Sequence, residues 1–135
     1  MSRYVALVDG EAGAYGVSFP DLPGCVAMGD TVDEALAHAA EALRDWINLT
    51  EETAGAPMPR ALEEIRHDAE TVEALREGAS LAIVPLVRDT GRPAKANLSI
   101  DAGILAAIDE EAARRKLTRS ALIELMARRM LSELV

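Results

Sequence analysis

Lys95, Asn97 and Ser99 alternate with Ala96, Leu98 and Ile100 in the stretch "RPAKANLSID" (92–101). A period of two marks a strand with one buried face, so the three polar groups share the other face. Their chemistry suits base edges: Asn bonds adenine bidentately, Lys reaches the guanine acceptors, and Ser is permissive. The plain alternative is the solvent face of an edge strand. A second candidate set is Asp9, Asp21 and Asp30, since carboxylates beside a sheet can hold divalent ions for phosphoryl transfer. Asp9 falls in an expected hairpin turn, the other two in loop and cap positions, and their acidic surroundings suit no nucleic-acid backbone. No catalytic residue is therefore assigned. Cys25 is the sole cysteine and lies in the apolar "GCVAM", which excludes an intrachain disulfide and reads as a buried structural thiol. With His38 and His67 it makes no zinc-type spacing, so neither metal nor cofactor is expected.

The elements that position these residues must come from 135 residues, half of them hydrophobic and 27% charged. That is one ordinary domain or two very small ones. Aromatic residues are only 3% (Tyr4, Tyr15, Phe19, Trp46), so the core is aliphatic. No apolar run is long enough to span a bilayer, and "MSRYVALVDG" is too short in apolar length for a signal peptide. No membrane partner and a cytoplasmic location are expected. The net charge of −9 is unevenly spread. Up to Val87 there are five basic and sixteen acidic residues, a balance of −11; from Arg88 there are nine basic and seven acidic, a balance of +2. Such asymmetry suggests two modules with different partners, the front one suited to a basic partner. A solvated acidic surface is the simpler account of the same charge.

"RYVALV", "AYGVSF" and "CVAMG" read as three strands of a meander, with "GEAG" as the first turn and two prolines in "PDLPG" interrupting pairing. "DTVDEALAHAAEALRDWINL" is the clearest helix. Thr31 and Glu34 make a capping box, and Val32, Leu36, Ala39, Ala40, Leu43, Trp46 and Ile47 form the face that covers the sheet. "ALEEIRHDAETVEALREG" suggests one or two short acidic helices. "SLAIVPLV" is a fourth strand, which Pro85 places at an edge or ends. The fold class is α+β. The expected boundaries are a domain at 1–87, a linker at 88–93 around Gly91 and Pro93, and a second domain at 94–135.

After the strand at 95–100 come two helices, one capped by Asp101 and one by Thr118. Ile104, Leu105, Ile108 and Ala112 of the first and Leu122, Leu125, Met126 and Met130 of the second are expected to point inward. "RRKLT" joins the helices without the usual glycine, so the turn must close by other means. A strand and two helices of this size cannot build an independent core, and a lone strand leaves its amides and carbonyls unpaired. Pairing with the fourth strand is conceivable; a second copy is the more economical partner. Two strands about a two-fold axis make a ribbon that fits the DNA major groove, and the helix start at "TRSA" offers free amides to phosphate. "KANLSID" followed by "LAAIDEEAARRKLTRSALIELMARRML" resembles the ribbon-helix-helix family. The resemblance implies a homodimer, with a tetramer left open, that reads operator DNA. Lys95, Asn97 and Ser99 would contact bases, and Thr118, Arg119 and Ser120 would contact phosphate.

The front third carries "VSFPDLPGC", then "GDT" capping a helix that runs "DEALAHAAEAL". In this order and without gaps it resembles the HicB antitoxin family. The resemblance implies a partial RNase-H-like front domain, antiparallel strands with a packed helix, beside the ribbon-helix-helix module. It also implies the antitoxin of a type II pair, which silences a small basic HicA-type mRNA-cleaving toxin and represses their shared operon. Asp21 and Asp30 are the candidate toxin contacts, against a plain structural role for the "FPDLPG" loop and the helix cap. The alternative function is a stand-alone ribbon-helix-helix regulator whose front domain senses a ligand or oligomerises.

Overall fold

The computed structural model describes residues 1–51 and 55–133. The chain divides into one compact unit, Met1–Val87, and a second that begins at Arg88. The first contains β1 (Arg3–Glu11), β2 (Ala14–Ser18), β3 (Val26–Gly29), α1 (Val32–Glu51), α2 (Leu62–Ile65), α3 (Ala69–Arg76) and β4 (Ser80–Pro85). The strands form one antiparallel sheet in the order β3-β2-β1-β4. β1 to β3 are the expected meander, and Pro85 closes β4 on an edge, where a missing amide costs no ladder bond. The first turn is shorter than expected. Glu11 pairs with Ala14, leaving only Ala12 and Gly13 between the strands. Gly13 takes a φ of 89°, which lets so short a turn close. Asp9 therefore lies inside the ladder opposite Gly16, not in a turn.

The alternation of β1 puts Tyr4, Ala6 and Val8 on one buried face with Val17 and Val84. α1 covers this face with Ala35, Ala39, Leu43 and Ile47, all fully buried and spaced four apart, the stripe that a 3.6-residue period produces. Val32, expected on that face, is 39% exposed, and Ala35 is buried instead. Glu34 donates its amide to Thr31 Oγ1 at 3.1 Å, so Val32 sits in the first turn, ahead of the buried line. The helix starts very close to the sheet. A Cβ on Gly29 would lie 2.4 Å from the Ala35 backbone nitrogen, so only glycine fits there.

The opposite face carries the alternate residues of each strand. Val5 is buried there, together with Ile65 of α2 and Thr71 of α3. Val26 and Met28 of β3 stand at 63% and 65% exposure.

The second unit contains α4 (Ala102–Arg114) and α5 (Arg119–Glu133), which pack on each other. Asp101 caps α4 as expected, accepting from the Gly103 and Ile104 amides. The turn between the helices closes without glycine because Lys116 takes a φ of 57°. Its amide donates to the Ala113 carbonyl at 3.1 Å and the Leu117 amide to the Ala112 carbonyl at 2.8 Å, the two bonds of a Schellman cap. The expected strand at 95–100 is not formed within one chain: no residue from 92 to 101 belongs to a strand or helix. A strand exists only with a ladder partner, and among its described residues the second unit holds no other strand. Met126 and Met130, expected inward, are 41% and 55% exposed, because α4 covers only the stripe around Leu122.

Gly29→Ala should destabilise the front unit by about 2–3 kcal/mol, since backbone atoms must give way; urea unfolding followed by the fluorescence of Trp46, the single tryptophan, measures it. Lys116→Gly should stabilise the helical unit by about 1 kcal/mol, by relieving a left-handed residue that carries a Cβ. The corresponding upward shift should appear in its far-UV circular dichroism transition.

Candidate nucleic-acid interface and partner surface

In the second unit Lys95, Asn97 and Ser99 are all exposed. Lys95 and Asn97 line one concavity of about 520 Å³ together with Ser120 at the start of α5. Two proposed base readers and one proposed phosphate contact are thus brought together, while Ser99 is not among the lining residues. The Thr118 hydroxyl caps α5, accepting from the Ala121 amide at 3.1 Å. Arg119 forks onto Asp109 of α4, with Nε to Oδ1 at 2.7 Å and Nη2 to Oδ2 at 2.8 Å. The hydrogen bonds hold the Asp109 carboxyl below the usual range and the guanidinium above its own. The Asp109–Arg119 pair was invisible in the sequence because ten residues and a turn separate its members.

At the C-terminal end of α4, Arg114 and Arg115 both bond Glu111. The hydrogen bonds from these two arginines pull the Glu111 carboxyl down to about 2. Arg128 reaches Asp89 at 3.1 Å and Glu124 at 3.6 Å.

In the first unit Asp21 has a side chain only 6% exposed. Its carboxylate accepts from the Arg60 backbone amide at 2.8 Å and from Arg60 Nε at 2.6 Å. The far side of the same guanidinium forks onto Asp68 at 3.1 and 2.8 Å. Arg60 thus joins the "FPDLPG" loop to the start of α3, and Asp68 makes no side-chain cap on that helix. Arg60 was missed because "TAGAPMPR" reads as a plain loop, with no periodicity to mark a hub. Asp30 differs: it is exposed, and its backbone carbonyl receives the Gly13 amide at 2.8 Å. Cys25 is buried, and burial pushes its thiol up to about 11, so it stays protonated and inert. Among the described residues no group of three His, Cys, Asp or Glu could hold a metal ion, and no helix is long and apolar enough to cross a membrane.

The family model described as "HicB_like antitoxin of bacterial toxin-antitoxin system" matches residues 4–127. The chain belongs to this family. The HicB resemblance read from the "FPDLPG" loop and the helix after it is therefore correct, and the family is one of antitoxins rather than enzymes. A protein of Haemophilus phage HP1, described as an uncharacterized 14.9 kDa protein in the rep-hol intergenic region, is 31% identical over 97 residues, 71% of each chain. The crystal structure of the Burkholderia pseudomallei antitoxin HicB is similar over 100% of both chains, with 27% identity and a TM-score of 0.51. The antitoxin HicB3 crystal structure is similar over 93% of this chain and 95% of its own, with 25% identity and a TM-score of 0.52.

In this HicB-like chain the Arg60 hub makes a pH prediction. Hydrogen bonding to Arg60 lowers the Asp68 carboxyl in the folded state. The stabilisation is then complete above the ordinary aspartate value of ~3.9 and is lost as pH falls through the lower folded value. Asp68→Asn should be less stable than the parent at neutral pH. The gap should close on acidification below pH ~4, read from the urea midpoint of Trp46 fluorescence at each pH.

Proposed function

We propose that the protein neutralises a small basic HicA-type toxin, an mRNA-cleaving ribonuclease, through its front unit, and represses its own operon through a dimeric ribbon-helix-helix back unit. The observation that carries the second half is an unfinished core. Among the described residues from Arg88 onward only Ala112 and Leu122 are buried, while Leu98, Ile100, Ile104, Met126 and Met130 are exposed at 36–67%. So much apolar surface on so small a unit favours a second copy that covers it. Pairing the segment 95–100 with its copy would supply the ladder that one chain lacks, and would leave Lys95, Asn97 and Ser99 on the outer face of a two-stranded ribbon. Thr118, Arg119 and Ser120 at the start of α5 then stand where the helix dipole favours phosphate, and Asp109 holds Arg119 in place.

The acidic balance of the front unit supports a basic partner through electrostatic complementarity, which speeds encounter and disfavours wrong partners. Inhibition is then steric: the front unit covers the toxin's active surface. Asp30, exposed beside the α1 cap, remains available for such a contact. Asp21 is turned into the molecule by Arg60, so its contribution is to shape the loop that the toxin meets.

Two measurements test the proposal. Tagged protein captured from host lysate should bring down a stoichiometric small basic protein that arrests growth when expressed alone; recovery of only DNA and the protein itself would leave a stand-alone regulator. In operator binding, Asn97→Ala should lose about 1–3 kcal/mol of sequence discrimination with the dimer intact, and affinity should fall steeply with salt as counterions are released. Leu98→Asp should leave the back unit monomeric by light scattering and abolish operator binding.

A further inference from the structure

The second face of the sheet holds a groove of about 250 Å³, below the ~300–1,000 Å³ of small-molecule sites. That size suits one inserted side chain. Its floor is apolar: Leu7 of β1, Phe19 and Leu22 of the "FPDLPG" segment, and Val26 of β3. Its rim is acidic, with Asp68 and Glu70 at the start of α3. Asp68 is engaged by Arg60, which leaves Glu70, exposed on the rim, as the carboxylate facing outward. Beside the groove, on the same face, Met28 extends the apolar surface at 65% exposure. An apolar channel ending at a carboxylate matches a side chain that is aliphatic along its stem and cationic at its tip.

We propose that this groove receives a lysine or arginine side chain of the basic toxin, with its stem along Leu7 and Val26 and its charge at Glu70. This rests on the toxin-binding reading above and adds the place and chemistry of the contact. The Arg60 hub then has a second consequence: by tying the loop at Asp21 to α3 at Asp68, it holds the two walls of the groove together before the partner arrives.

The test uses the full chain and the toxin purified from its complex, with affinities measured by calorimetry across a salt series. Val26→Ser and Glu70→Lys change exposed side chains and should keep a single cooperative urea transition, with a small downward shift for Glu70→Lys because Glu70 is the acid in the first turn of α3. Each should weaken binding by about tenfold or more. The Glu70→Lys loss should shrink as salt rises, and the Val26→Ser loss should persist. Glu77→Lys, an equal charge change outside the groove lining, should stay within about twofold of the parent. If the parent binds toxin and both groove variants bind equally well, the groove assignment is overturned and the toxin reading stands. If Glu77→Lys matches Glu70→Lys, the effect is net charge and the groove is again overturned. If Val26→Ser instead changes self-association in sedimentation, the face belongs to a second copy. A parent that binds no basic toxin removes both readings together.

Discussion

The front unit depends on the approach of α1 to the sheet at Gly29. Hydrogen bonding fixes the strands relative to one another, but a helix can settle on a sheet only as closely as the side chains between them allow. Here the contact is between a glycine on β3 and the backbone of Ala35, followed one turn later by Ala39. Small residues bring the helix start down onto the edge strand, while Leu43 and Ile47 fill the wider space further along. A consequence reaches the opposite face. With Ala27 and Gly29 turned toward α1, the alternation of β3 turns Val26 and Met28 outward.

The Arg60 hub acts on that opposite face. One guanidinium satisfies two carboxylates on separate segments, using the fork geometry that lysine lacks. Burying the Asp21 side chain requires this pairing, because an unpaired carboxylate in so dry a position would be costly. The "FPDLPG" loop is therefore held by an ionic clip on one side and by the buried side chains of Phe19 and Leu22 on the other. Prolines stiffen its backbone, but they do not by themselves decide where it lies.

The back unit is governed by a deficit. Each local device is present: Asp101 and Thr118 cap the helices, a Schellman turn joins them, and Glu111 and Asp109 pair with arginines. These set local geometry but bury little apolar surface, and exposed ion pairs of this kind add little stability. A unit well ordered locally and poor in core leaves apolar surface uncovered, and in the proposed dimer a second copy would cover it.

Much of this was legible in the sequence because it is local. Short apolar runs between turn residues marked β1, β2 and β3, the Thr31 cap and the Ala/Leu spacing marked α1, and Pro85 marked an edge or an end of β4. The dense order of "VSFPDLPGC" and "GDT" pointed to the HicB family. The sequence could not show which α1 residue leads the buried stripe, since that is decided by where the helix meets the sheet, at Gly29 and Ala35. Nor could it show that Asp9 lies within a ladder, because one left-handed glycine shortened the turn. Asp21 looked like an available acid until Arg60, distant in the chain, closed on it, and Arg119 looked free until α4 supplied Asp109. Propensity, capping and periodicity act over a few residues and are written in the chain. Which charges meet, and which apolar residues stay uncovered, depends on segments brought together by folding, and only the tertiary structure decided them.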